Sequence, residues 1–139
     1  MRYVLPVVLV ALVAASPAAG APIAPCKLVT AADAQTALGG PVGKPKVETL
    51  GLYQSCTYSR GRAVLTVQTR ALSKADFIKS AKANPPPVVA VSGLGVLAYS
   101  VAGYTLLAWR NGTEATFTIV GGKGLVAEKA LAKRVAGKL

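Results

Sequence analysis

Cys26 and Cys56 stand 30 positions apart and are the only thiols in a 139-residue chain that has no histidine. What they do decides the compartment and much of the fold. Four roles are open: lipid anchor, nucleophile, metal ligand or half of a disulfide. A nucleophilic thiol needs an activating base, and histidine is the usual one. A zinc site needs four ligands, which two cysteines without histidine do not supply from the common donors. Lipid attachment needs a small residue directly before the cysteine, close behind an apolar run. Here the approach is "IAPC", and ten residues separate Ala15 from Cys26. A structural disulfide is the favoured reading, and it requires an oxidising compartment. Closing a loop of this length contributes about 3 to 4 kcal/mol, large beside the total stability of a small domain.

The N-terminus supplies the route to such a compartment. Met1-Arg2 gives a short positive end, "YVLPVVLVALVAA" (Tyr3 to Ala15) an apolar run, and "SPAAGA" the small residues that signal peptidase requires. The run is short for a bilayer span, so an uncleaved anchor is the weaker reading. Cleavage is expected after Ala18, Gly20 or Ala21, the last disfavoured by Pro22. Residues 1–21 therefore read as a signal peptide and 22–139 as a single exported domain. That domain is expected to be secreted or periplasmic, neither a lipoprotein nor membrane-spanning in its mature form, and a monomer.

With 53% hydrophobic and 15% charged residues, the chain is too apolar for disorder and long enough for one modest core. It has 16 Lys and Arg against 5 Asp and Glu, so loss of Arg2 leaves about +10. Such a charge favours anionic polymers or membrane surfaces without naming one.

Along the chain, residues 22–29 read as an extended lead-in. Thr30 and Asp33 then set a capping box for "AADAQTAL", stopped by Gly39-Gly40-Pro41. Lys44 to Leu52 reads as a loop with a short strand. "YQSCTY" and "AVLTVQT" form a hairpin about "SRGR". An Arg60-Gly61 turn would set Ser59 against Arg62 and Cys56 against Leu65. Cys56, Tyr58, Ala63, Leu65 and Val67 then share the core face, and Tyr53, Ser55, Thr57, Thr66 and Gln68 the other, around Val64. Ser73 and Asp76 mark a second capping box, with Leu72 stapled to Phe77. Phe77, Ile78 and Ala81 form the buried stripe of this helix, Lys74, Lys79 and Lys82 its wet side, and Asn84 to Pro87 its stop.

"VVAVSGLGVLAYS", "GYTLLAWR" and "EATFTIV" read as sheet, with Asn111-Gly112 at the centre of a type I′ turn that sets Arg110 against Thr113. Tyr104, Leu106, Ala108, Ala115, Phe117 and Ile119 share one face. Thr105, Leu107, Trp109, Thr116 and Thr118 share the other, with Glu114 beside Trp109, which a second layer is expected to bury. A last helix in "GLVAEKALAKRVAGKL" aligns Ala127, Leu131, Val135 and Leu139. The expected fold is α+β: a mainly antiparallel sheet of five to six strands with three helices, a two- or three-layer sandwich with one disulfide.

Catalytic signatures are scarce. The lack of histidine removes Ser-His-Asp triads, histidine acid–base chemistry and imidazole metal sites together. Ser-x-x-Lys is absent from the sequence. Asp33 and Asp76 serve as caps and Glu128 lies on a helix, which leaves Glu48 and Glu114 with no evident partner carboxylate. Gly93, Gly95 and Ala98 match G-x-G-x-x-A, with Glu114 about 20 residues on, but the helix that motif must open is missing and a strand-to-strand turn explains it. "GGKG" at 121–124 is a loop, and Asn111-Gly112-Thr113, formally a glycosylation sequon, is explained by its turn. No catalytic, cofactor-binding or metal-ligating residue is expected. Candidate anion contacts are Arg60, Arg62, Lys129, Lys133 and Arg134.

"PCKLVTAADAQTALGG", "QSCTYS", "VSGLGVLAY", the "CTYS…LTV" hairpin and "GTEATFTIV" before a basic helix resemble the exported actinobacterial domains grouped as domain of unknown function 3558. The likeness covers most of residues 25–138. It implies a Cys26–Cys56 disulfide and a PsbP-like α/β/α sandwich, and it brings no established activity. Two departures stand out: "IAPC" in place of the lipid-attachment site of many relatives, and Val96 where an acidic residue often follows "GLG". The function expected is a non-catalytic binding domain of the bacterial cell envelope, with an envelope protein or anionic polymer as partner and no nucleic acid. The alternatives are an adaptor for anionic polymers or membrane surface through Lys and Arg, and an enzyme whose deep pocket gathers Glu48 or Glu114 with a basic residue.

Overall fold

The computed structural model describes residues 21–139; all but the last residue of the expected signal peptide, and most of its candidate cleavage sites, lie outside the described residues. The lead-in is not wholly extended: Pro25–Leu28 forms one helical turn, α1. Pro25 presets the helical φ at its first position, and Leu28 N–H donates to Ala24 O. The turn places Cys26 for its bond to Cys56, with Cα atoms 5.4 Å apart. Two further bonds fasten this segment: Tyr58 Oη donates to Val29 O at 2.8 Å and Thr69 Oγ1 to Ile23 O at 2.7 Å.

Helix α2, Ala31–Leu38, carries the Thr30/Asp33 capping box and ends at Gly39 in the left-handed region, φ 79°. Strand β1, Lys46–Leu50, precedes the hairpin of β2, Tyr53–Arg60, and β3, Ala63–Ala71. The hairpin turn is Gly61-Arg62 rather than Arg60-Gly61: Arg60 faces Ala63 and Cys56 faces Val67. Glycine, at φ 58°, thereby takes the first central position, as a type II′ turn demands. The correction moves the register by two residues, an even number, so every side chain keeps its expected face.

Helix α3, Lys74–Lys82, is capped by Ser73, but Asp76 accepts from the Ser73 hydroxyl instead of its backbone, so only half of the capping box forms. "VVAVSGLGVLAYS" folds as two strands, β4 (Val88–Val91) and β5 (Leu97–Val101), reversed through Gly93 and Gly95 at positive φ. β6, Thr105–Arg110, and β7, Thr113–Val120, turn at Asn111 and Gly112 with φ 49° and 82°, and Arg110 faces Thr113 as expected. Helix α4, Leu125–Val135, runs into a 3-10 turn at Ala136–Lys138.

Among the described residues, seven strands and four α-helices thus replace the expected five to six and three, through the division of the glycine-rich strand and the extra turn α1. They form one antiparallel sheet in the order β1-β2-β3-β7-β6-β5-β4. One face carries Cys56, Tyr58, Leu65, Val67, Leu106, Ala108, Phe117 and Ile119 against α1, α2 and α4, the main core. On the other face Phe77 and Ala81 of α3 cover Val101 and Leu107. Trp109 is half-buried there, its Nε1 donating to Leu72 O at 2.8 Å. Tyr104 falls in a turn and is 60% exposed, not on the core face.

Helix α3 lies over one part of its face. Beyond it, Thr57, Thr66, Thr118 and Thr105 pair successively across β2, β3, β7 and β6, all half-buried. The hydroxyl oxygens of Thr105 and Thr118 are 3.4 Å apart. Among the described residues no helix is long and apolar enough to cross a membrane.

Candidate functional site

Helices α2 and α4 lie side by side on the main face, and the small side chains between them leave space unfilled. Ala37 of α2 opposes Ala127 and Ala130 of α4, leaving a trough of about 230 Å³ floored also by Leu131. The α4 residues recur every three to four positions, which puts them on one helical face. A neighbouring cavity of about 270 Å³ shares Thr36, Ala37 and Lys123 with the trough and continues to Gly39, Arg60 and Gly122.

The charges around this groove are unevenly engaged. Asp33, at one end, is opposed by burial, which raises its pKa, but hydrogen bonds from Thr30 and the Lys138 ammonium at 3.3 Å outweigh that and hold it below its ordinary value. Arg134 reaches across the trough and donates to Thr36 Oγ1 at 3.1 Å. Arg60 donates to Leu38 O at 2.9 Å and so closes the C-terminus of α2. Arg62 lies on the β2–β3 turn, exposed, and its carbonyl oxygen is 2.7 Å from where a Cβ on Gly121 would be. Of the five candidate anion contacts, Arg60 and Arg134 thus line the two cavities and Arg62 abuts the 121–124 loop. Lys129 is half-buried and Lys133 exposed on α4, and neither lines the groove. Lys123, read from sequence only as part of a glycine loop, is the cation common to both cavities.

The remaining carboxylates have other settings. Glu114 is buried, not free: Arg70 opposes it across β3 and β7 and donates from both Nε and Nη2, at 3.2 and 2.9 Å. Arg70 also bonds Ser80 of α3 and lies 4.6 Å from the centre of the Tyr53 ring. Glu48 pairs with Lys46 at 2.9 Å on β1. Neither glutamate lines the α2/α4 groove.

Glu128 departs furthest from its sequence reading. It is fully buried, its Oε1 accepting from Ile119 N at 2.7 Å while Oε2 has no partner among the described residues. Pairing of β7 with β6 begins at Thr118, so Ile119 is one residue past the ladder and Glu128 supplies the acceptor that β6 does not reach to give. Burial pushes its pKa up to about 7, partly offset by the Ile119 hydrogen bond. The signal was present in the sequence: Glu128, Ala132 and Val135 fall at i, i+4 and i+7 on a buried stripe. Among the described residues no group of three His, Cys, Asp or Glu side chains is placed to hold a metal ion. No family model, curated protein or solved structure matches the chain.

Proposed function

We propose that the chain is an exported, non-catalytic binding domain of the cell envelope, seated on its partner through the α2/α4 groove. The observation that carries this reading is the groove itself. It is open to solvent on one side and backed on the other by a core to which the Cys26–Cys56 bridge pins the N-terminal segment. A disulfide suits an oxidising compartment, and the apolar run at Tyr3 to Ala15 accords with export. The resemblance to the exported actinobacterial domains is part of the same proposal and rests on the motifs quoted. Affinity capture from the native envelope with the mature domain is expected to retain a defined component. Equal retention by an unrelated protein of the same size and charge sinks the reading.

A second reading, adhesion to anionic envelope polymers, is favoured by one observation. Among the described residues only Lys46, Arg70 and Lys138 enter ion pairs, so most cations are left to solvent. It predicts retention on immobilised polyphosphate that weakens steeply with salt.

A further inference from the structure

The groove has a chemical direction. Its floor is apolar, and Val126, 74% exposed, stands at its lip. From Val126 to Arg134 the α4 wall extends about 12 Å at the helical rise. Charge is divided between the ends. Lys123 stands where the trough meets the second cavity, whose other ionic side chain is Arg60, and no carboxylate lines that cavity. The other end holds Asp33, and the Arg134 guanidinium reaches across the trough to Thr36, which the second cavity also shares. An occupant matching this pattern has a hydrocarbon body and one anionic head. The bridge across the trough suits a molecule that stops at it better than an extended polymer. Arg60 and Arg134 are already committed to Leu38 O and Thr36 Oγ1, which leaves Lys123 as the one lining cation with no hydrogen bond among the described residues, a match for a monoanion.

We infer that the α2/α4 groove binds a medium-chain fatty carboxylate, its head at Lys123 and its chain laid over Ala127 and Ala130 toward Arg134. The chain displaces water from the alanines and from Val126, and the carboxylate meets the Lys123 ammonium. This ligand assignment rests on the binding-domain reading above.

The test titrates the full exported protein, disulfide closed, with dodecanoate below its micelle concentration by calorimetry. Dodecyltrimethylammonium and acetate are run beside it. Saturable binding of dodecanoate is expected, with the cation of equal tail about tenfold weaker and acetate silent. Ala130→Trp, at an exposed position on α4, fills the trough and is expected to weaken dodecanoate about tenfold with the far-UV circular dichroism unchanged. Lys123→Glu, outside the helix, weakens dodecanoate and strengthens the cation, and it decides the matter if the tryptophan variant fails to fold. Dodecanoate binding untouched by either substitution, equal binding of the cation, or no saturable binding overturns the inference. If dodecanoate fails while the mature domain still retains an envelope component, the ligand assignment falls and the binding-domain reading stands. If that capture fails as well, both fall.

Discussion

A buried carboxylate at Glu128 does the work of a missing strand residue, and its stability effect has a definite sign. Its pKa rises from an ordinary 4.5 to about 7 on folding. The folded state therefore holds the proton more tightly than the unfolded chain, so this stabilisation is fully present below pH 4.5 and is lost as pH rises through 7. Chemical denaturation at pH 5 and pH 8 should show wild type losing on the order of 3 kcal/mol between them, and Glu128→Gln should flatten that difference. Parallel profiles for the two proteins would refute it. Asp33 runs the other way, its lowered pKa adding stability that is lost only as pH falls through the acidic range. Arg70 makes a second prediction at this scale. Arg70→Ala leaves Glu114 charged, buried and alone, at a cost of about 3 to 5 kcal/mol, whereas Arg70→Met with Glu114→Leu should cost far less. Equilibrium unfolding of both variants checks the contrast.

Elements were legible where one short sequence left a single conformational choice. Asn111-Gly112 takes positive φ at both positions and fixed the β6–β7 register, because that dipeptide has one preferred hairpin geometry. Arg60-Gly61-Arg62 offered two frames, and only the position of glycine in a type II′ turn separates them. The trough was not legible at all. It needs α2 and α4 to meet, and Thr36 and Arg134 are 98 residues apart. Two glycines test the packing around it. A Cβ at Gly121, φ 72°, would fall 2.7 Å from a backbone oxygen that cannot step aside. Gly121→Ala should therefore cost about 1 to 3 kcal/mol in thermal unfolding. At Gly40 the obstacle is the Arg60 guanidinium at 2.6 Å, the mobile end of a long side chain. Gly40→Ala should cost about 1 kcal/mol, chiefly through the displaced bond to Leu38 O.

At the scale of the molecule, the Cys26–Cys56 bridge joins the first helical turn to the second strand. The double change Cys26→Ser and Cys56→Ser should lower stability by about 3 to 4 kcal/mol, read from denaturation midpoints of the oxidised and substituted proteins. A negligible change would mean that Tyr58, Thr69 and the core contacts hold the segment unaided. The sheet is also unevenly clothed, with α1, α2 and α4 on one side and α3 over part of the other. Threonine resolves what would otherwise be a contradiction on the bare part, since its branched carbon favours an extended backbone while its oxygen keeps the plane hydrated. Exchange Thr57, Thr66 and Thr118 for valine, and the strands would form as before. The wetted plane would then become adhesive, and copies of the molecule would stack on one another.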